Sequence, residues 1–182
     1  MIPIFSNPQI TIATIEDLAA IKYLLDSAYR GEASKQGWTT EANLISGNQR
    51  TDDESLLQVM QQTGSIFLKY TDAEKQINAC VNLQKQGDKI YLGMFSVSPP
   101  LQGAGIGKQL LHAAEEYARQ VDCVSIYMSV ISVRLELVDW YHRHGYQEAG
   151  ERKPFIEDAV TGKHLQALEF MTLEKTINNG TQ

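Results

Sequence analysis

Two spacings of hydrophobic residues alternate along this chain and predict two kinds of element. Stretches with apolar residues at every second position, or in short continuous runs, predict strands, whereas a stripe at every third or fourth position predicts a helix. The predicted strands are 9–13, 65–70, 76–84, 89–98, 124–131, 146–150 and 165–174. The predicted helices start at Leu18, at Asp52 or Asp53 as the N-cap, at Gly107 and at Arg134, and a hairpin turn is expected at 86–88.

The order of these elements predicts an α/β protein with a mixed sheet. A chain of 182 residues suits one domain with a single sizeable core. The sequence contains no internal repeat, low-complexity tract or linker. We therefore expect one domain over residues 9–176, with loose termini at 1–8 and 177–182.

A glycine-rich segment between a predicted strand and a predicted helix carries the clearest chemical signal. Pro99 and Pro100 end the strand, and Gly103, Gly105 and Gly107 then occupy alternate positions before the helix. Glycines let backbone N–H groups approach a ligand closely, and the helix N-terminus adds unpaired donors and a partial positive charge. This arrangement predicts an anion site, most naturally for a phosphate ester.

Two familiar phosphate loops do not fit the segment. The dinucleotide fingerprint G-x-G-x-x-G fails because Lys108 stands three residues after Gly105. A Walker loop fails because no Gly-Lys-Ser/Thr follows four free positions.

The segment Val97-x-Pro99-x-x-Gln102-Gly103-x-Gly105-x-Gly107-x-x-Leu110-Leu111 resembles the pyrophosphate-binding signature of the GNAT superfamily of acyl-CoA-dependent N-acyltransferases. A second segment, Asp139-Trp-Tyr141-x-x-x-Gly145-Tyr146, is similar to a later helix of that family. The resemblance implies a twisted mixed sheet with helices on both faces. It also implies transfer of the acetyl group of acetyl-CoA to a primary amine of a small molecule or peptide, by direct attack in a ternary complex.

The same resemblance implies roles for individual residues. The strands 89–98 and 123–131 should splay apart and hold the pantetheine arm, with the backbone of Val97 bonded to its amides. The N–H of Phe95 should face the thioester carbonyl, and the Tyr141 hydroxyl should face the departing sulfur. The backbone N–H groups expected around the pyrophosphate are those of Gln102, Gly103, Ala104, Gly105, Ile106, Gly107 and Lys108. Arg134 stands where many family members have an asparagine. Its side chain could contact CoA, contact a substrate carboxylate or lie on the surface.

The general base and the acceptor pocket are less determined by the resemblance. Many family members carry a glutamate on the strand before the phosphate loop, but Tyr91 stands there. Either Glu32, Glu41, Glu136 or an ordered water substitutes for it, or the reaction needs no strong base. The acceptor is expected to meet an aromatic pocket with one carboxylate for its ammonium group. The residues predicted for that pocket are Tyr29, Glu32, Trp38 and Phe155. The alternative is that they form a second small core beneath the loops.

The composition of the chain limits the classes of partner that it is expected to bind. The net charge of −6 argues against nucleic acid or an acidic membrane as the main partner, and the sequence has no run of 18 apolar residues and no secretory signal. Cys80 and Cys123 stand singly in apolar runs, as expected for reduced core residues of a cytoplasmic protein. The four histidines predict no metal site, and His142 and His144 are expected in solvent. A homodimer is left open.

Two other classes of function are compatible with the glycine loop. A non-catalytic acyl-CoA-binding sensor would keep the loop but would not need Tyr141. A regulatory nucleotide-binding module would be stabilised by ATP or NAD and not by acetyl-CoA. The ligand that stabilises the protein, and the need for Tyr141, therefore distinguish an acetyltransferase, an acyl-CoA sensor and a nucleotide-binding module.

Overall fold

The computed structural model describes residues 2–177 and contains one eight-stranded mixed sheet. The strands are β1 (Ile10–Ile12), β2 (Ser65–Thr71), β3 (Ile77–Gln86), β4 (Lys89–Val97), β5 (Ser125–Ile131), β6 (Gln147–Glu148), β7 (Lys153–Phe155) and β8 (Leu168–Thr176). The helices are α1 (Leu18–Tyr29), α2 (Gly31–Ser34), α3 (Asp53–Gln61), α4 (Ile106–Gln120) and α5 (Leu135–Arg143). The strand order is β1-β2-β3-β4-β5-β8-β6, and β7 also pairs with β8.

The α/β prediction is confirmed, and most predicted elements begin and end within two residues of those observed. Asp52 caps α3, since its Oδ1 accepts a hydrogen bond of 2.7 Å from the Ser55 N–H. Two short elements, α2 and β7, are not predicted by the pattern of hydrophobic residues. The last strand begins three residues later than predicted, because residues 165–167 belong to the loop that leads into it.

Helices cover both faces of the sheet, each with its own core. On one face α4 and α5 bury residues such as Leu110, Ala114 and Tyr141 against the central strands. On the other face α1 and α3 pack Ile21 and Leu56 against residues of β2 and β3. Cys80 and Cys123 are buried as free thiols, as predicted, and burial raises the pKa of Cys80 to about 12. Two cores against one sheet hold β4 and β5 rigidly in the middle of the molecule.

The two central strands separate at their carboxyl ends. β4 and β5 form the parallel pair of the sheet, but their register covers only the residue pairs from Lys89↔Ser125 to Tyr91↔Tyr127. Beyond Tyr91, β4 continues to pair with β3, while β5 pairs with β8 as far as Ile131↔Phe170. The predicted splay is therefore present, and it opens a wedge between the strands.

The chain ends differ from the expectation of loose termini. Ile4 exchanges hydrogen bonds of 3.0 and 2.7 Å with the side chain of Gln120, and the Ser6 N–H donates to Glu116, so this segment lies against α4. At the other end Ile177 is buried and its N–H donates to the Val124 carbonyl. The remaining positions of the predicted loose ends, Met1 and 178–182, lie outside the described residues.

Candidate active site

Two cavities meet in the wedge between β4 and β5. The larger has a volume of about 500 Å³ and lies over the glycine segment and one side of α5. The smaller, of about 170 Å³, lies between the carboxyl ends of β4 and β5 and the loop after α2. Both are lined by Tyr29, Phe95, Leu137 and Tyr141. A reaction at these shared residues could draw one reactant from each cavity.

The glycine loop presents unpaired backbone donors to the larger cavity. The N–H groups of Gly103, Gly105, Ile106, Gly107 and Lys108 make no hydrogen bond within residues 2–177. The N-cap of α4 has no side-chain hydrogen bond, and the first turn contains no acidic residue. Five open donors at an uncapped helix start are suited to a doubly charged anion.

Left-handed backbone conformations account for two of the glycines. Gly103 and Gly105 have φ of +87° and +85°, and a Cβ added at either would meet no protein atom within 4 Å. The space above them is therefore open to a ligand, and a side chain there would enter it. Gly107 differs, because a Cβ would contact Phe95 and Trp140 at 3.5 Å.

Two predicted donors are already used inside the loop. The N–H groups of Gln102 and Ala104 donate to the carbonyls of Pro99 and Leu101, both at 3.3 Å, so the expectation for these two is corrected. The Gln102 side chain instead connects segments: its Oε1 accepts from the N–H groups of Trp38 and Thr39, and its Nε2 donates to Val97. Gln102 thus fixes the glycine loop to the loop after α2.

A β-bulge distorts β4 where the two cavities meet. The register pairs Cys80 with Ser96 and Asn82 with Gly93, which leaves Met94 and Phe95 without partners in β3. Met94 adopts φ of +49°, an unusual value for a residue with a side chain. Such strain concentrates at functional sites, and nothing in the sequence pattern signals it here.

Tyr141 lies on α5 at the junction of the cavities. Its side chain is buried against Phe95 and Tyr146, with ring centroids 6.4 and 5.8 Å apart, and its hydroxyl makes no hydrogen bond within residues 2–177. Burial, with a smaller contribution from Tyr29, raises the pKa of Tyr141 well above its usual range. The hydroxyl therefore remains protonated at neutral pH and is available as a hydrogen-bond donor.

Comparisons with known proteins agree with this geometry. The family model described as the acetyltransferase (GNAT) domain matches residues 34–161. The chain belongs to the GNAT acetyltransferases. The resemblance noted in the sequence is therefore confirmed at the level of the family and its fold. None of the curated proteins is similar enough in sequence to match.

Several solved structures share the GNAT fold with this chain. A putative phosphinothricin N-acetyltransferase is 15% identical, with a TM-score of 0.71, and the match covers 93% of this chain and 98% of that one. The Escherichia coli ribosomal-protein-S18-alanine N-acetyltransferase is 14% identical, with a TM-score of 0.69 and coverage of 95% and 96%. A spermidine N-acetyltransferase chimera from Vibrio cholerae and hSSAT is 16% identical, with a TM-score of 0.65 and coverage of 92% and 95%. At these identities the likeness shows the fold alone.

A buried ion-pair cluster forms one wall of the smaller cavity of this GNAT chain. Glu41 accepts hydrogen bonds from Arg30 and, at 2.9 Å, from Arg134, whose guanidinium also donates to the Thr39 carbonyl. Burial by itself raises the pKa of Glu41, but the charges of Arg134, Arg50 and Arg30 outweigh it and the net pKa is lowered. Arg134 therefore lies in the smaller cavity and not among the groups around the glycine loop, which corrects its assignment to the cofactor.

None of the three proposed basic carboxylates is well placed. Glu41 is held by two arginines and its lowered pKa makes it a poor base. Glu32 is exposed, with a side-chain exposure of 88%, and pairs with Lys35 outside both cavities. Glu136 lines the larger cavity but not the smaller one. Two of the alternatives from the sequence remain: an ordered water, or a reaction that needs no strong base.

The four residues predicted for the acceptor pocket do not come together. Tyr29 lines both cavities and its hydroxyl donates to the Phe95 carbonyl, while Trp38 lines only the larger cavity, 6.3 Å from Trp140. Phe155 lines the smaller cavity and stacks on Phe170 at 4.2 Å. Glu32 reaches neither cavity, because α2 directs it outward.

The histidines follow the prediction only in part. His142 is exposed, but His144 is partly buried, lines the larger cavity and lies 4.2 Å from Trp140 between ring centroids. Within residues 2–177 no group of three His, Cys, Asp or Glu side chains could hold a metal ion. Over the same residues, every helix is too short or too polar to cross a membrane.

Proposed function

We propose that this GNAT acetyltransferase takes the acetyl group from acetyl-CoA and passes it to a primary amine of a small molecule or peptide by direct attack in a ternary complex. The observation that carries the proposal is the meeting of two cavities at Phe95 and Tyr141, one of them lined by the open donors of the glycine loop. The two cysteines, Cys80 and Cys123, are free and buried, which supports a cytoplasmic location.

The residues of the larger cavity fit acetyl-CoA. The donors of Gly103 and of residues 105–108 would bind the pyrophosphate, and the open wedge beside Val97 would hold the pantetheine arm. When bound, the co-substrate supplies an activated acetyl thioester. Trp38 and Trp140 form the apolar wall beside it, so we assign Trp38 to the co-substrate side rather than to the acceptor.

The chain's own groups have distinct tasks in the transfer. The amine nitrogen forms a bond to the acetyl carbon, the carbon–sulfur bond breaks, and the nitrogen loses a proton. The Phe95 N–H would stabilise the developing oxyanion, and the Tyr141 hydroxyl would donate to the departing sulfur. A phenol whose pKa is raised is a weaker acid than a thiol, so Tyr141 acts as a hydrogen-bond donor rather than by complete proton transfer.

The attacking amine must lose its charge before it reacts. An amine of pKa about 10.4 costs roughly 4–5 kcal/mol to deprotonate at pH 7. Since none of Glu32, Glu41 and Glu136 is placed to act as a base, we assign proton removal to a water in the smaller cavity.

A matched pair of glycine variants tests the co-substrate site. Acetyl-CoA at a hundredfold excess over Kd is expected to increase the free energy of unfolding of the parent by about 2.7 kcal/mol, through mass action. Its melting temperature should rise accordingly. Gly105→Val should remove this shift and stop release of CoA thiol, because it places a branched side chain where φ is +85° and the loop space is open. The measurement is differential scanning fluorimetry with and without acetyl-CoA.

Gly87→Val is the control. Gly87 lies in the β3–β4 turn with φ of +64° and nothing within 4 Å of an added Cβ, so the substitution imposes similar backbone strain away from the site. It should lower the melting temperature but keep the acetyl-CoA shift. If Gly105→Val retains the shift, the assignment of the loop to the pyrophosphate is wrong.

A further inference from the structure

The smaller cavity has an excess of positive charge. Among residues 2–177, its charged lining consists of Arg30, Arg50, Arg134 and Glu41. Glu41 neutralises one arginine at most, in a protein whose net charge is −6. A positively charged cavity in an acidic protein is a local exception that favours an anionic occupant.

Of the three arginines that line the smaller cavity, Arg50 is the one that forms no ion pair within residues 2–177. Arg30 and Arg134 share the two oxygens of Glu41 and make further bonds to the carbonyls of Thr161 and Thr39. The Arg50 Nε, by contrast, is buried with no hydrogen-bond partner among the described residues, and its guanidinium lies 5.5 Å from the Tyr29 ring centroid. A buried donor without a partner is costly unless a ligand or water satisfies it.

One acid outside the cavity lies near Arg50. The pKa of Asp158 is lowered mainly by hydrogen bonds from Thr161, and the charge of Arg50 makes the smallest contribution. However, its Oδ1 already accepts from Val160 and Thr161, and it forms no ion pair with Arg50 within residues 2–177. Asp158 therefore does not occupy the guanidinium.

We infer that the acceptor amine carries a carboxylate close to its amino group, as an α-amino acid does, and that Arg50 binds this carboxylate. The inference rests on the proposed function and names the class of its acceptor. A guanidinium suits a carboxylate because it can donate two parallel hydrogen bonds. The rest of the lining is largely apolar, from Met94, Met128, Val130 and the Phe155–Phe170 pair, so an apolar side chain fits beside the carboxylate.

The arginine cluster also bears on the missing base. A positive environment disfavours the charged form of a bound ammonium group and lowers the pKa of the amine. The cluster would therefore hold the carboxylate and favour the neutral, reactive amine at once. The same field would repel a polyamine, which brings several positive charges and no anion.

The test compares each amino acid with its amide, in which a neutral carboxamide replaces the carboxylate. L-methionine, L-leucine and L-phenylalanine are assayed against their amides, with spermidine as the polycation, by release of CoA thiol from acetyl-CoA. The parent should prefer at least one acid over its amide by about tenfold or more in kcat/KM, as expected for a charge-assisted pair. Arg50→Gln should reduce that ratio to near one, and Arg50→Lys should retain part of it.

Arg119→Gln is the matched control, because Arg119 lies on α4 at the surface and pairs with Glu115. It should leave the acid-to-amide ratio unchanged. Transfer to amides or spermidine with equal or greater efficiency would overturn the inference and leave the proposed function standing. If no amine is acetylated, the proposed function fails. Calorimetric titration of L-methionine and L-methioninamide into the protein then tests the inference by itself. Equal affinities for the two compounds would overturn it.

Discussion

Replacing Glu41 with glutamine is expected to lower the free energy of unfolding by about 3–5 kcal/mol. Glu41 is buried and pairs with two arginines that are themselves almost fully buried, so its loss leaves two uncompensated charges. Removing one partner of a buried ion pair is far more destabilising than deleting an exposed one. Urea denaturation should show a lower midpoint with an unchanged m-value.

Glu32→Gln is the control for this experiment. Glu32 also pairs with a basic residue, Lys35, but its side chain is exposed, so the midpoint should hardly move. A small effect of Glu41→Gln, comparable with that of Glu32→Gln, would contradict the buried-cluster account.

The Glu41 contribution should also depend on pH in a defined direction. The pKa of Glu41 is lower in the folded state than in the unfolded chain, where about 4.3 is ordinary. The contribution is therefore complete above that ordinary value and is lost as the pH falls through the lower pKa of the folded state. The stability difference between the parent and Glu41→Gln should shrink over that acidic range and remain constant between pH 6 and 8.

Tyr141→Phe is expected to lower kcat by roughly ten- to a hundredfold or more with little change in KM. The substitution keeps the ring and removes a hydroxyl at the junction of the cavities that makes no hydrogen bond within residues 2–177, whereas the Tyr29 hydroxyl there already donates to the Phe95 carbonyl. A charge-assisted hydrogen bond to a developing thiolate is worth about 1.5–3 kcal/mol in the transition state, which gives this decrease. Single-turnover kinetics separates the chemical step from product release.

Tyr146→Phe provides a closely matched control. Tyr146 is a buried tyrosine next to Tyr141, but it lines neither cavity and its hydroxyl has no hydrogen-bond partner within residues 2–177. Its removal should leave kcat unchanged and stability equal or greater. An unchanged single-turnover rate for Tyr141→Phe would remove that hydroxyl from the mechanism.

The parts of the site that the sequence predicts are those formed by neighbours in the chain. The glycine loop and the start of α4 follow from residues 99–108, whose backbone requirements are local. Tyr141 follows from its spacing to Gly145 in the resemblance. The strands and helices follow from periodicity, except α2 and β7. The four residues of α2 are too few to show a helical period, and in β7 Pro154 and the exposed Lys153 give no strand signal, so pairing with β8 decides.

The parts that the sequence does not predict depend on contacts across the fold. Arg30, Glu41 and Arg134 lie in three separate segments, just after α1, in the loop after α2 and just before α5, and share no local motif. Their cluster therefore appears only when the fold brings these segments together. Arg50 gives no signal in its own segment. The positive φ of Met94 likewise results from the bulge in β4, since methionine has no preference for that conformation. Glu32 and Glu41 are equivalent from the sequence, and only the fold places one outside and one inside.

The most direct test of the central claim follows the acetyl group itself. The protein is incubated with acetyl-CoA carrying a ¹³C-labelled acetyl group and with the panel of amino acids, amides and amines, and the products are analysed by mass spectrometry. Our account predicts one labelled acetyl group on an acceptor nitrogen for each CoA thiol released, at a rate that falls with Tyr141→Phe and not with Tyr146→Phe. Tight binding of acetyl-CoA with no labelled amine from any acceptor would contradict it and indicate an acyl-CoA sensor.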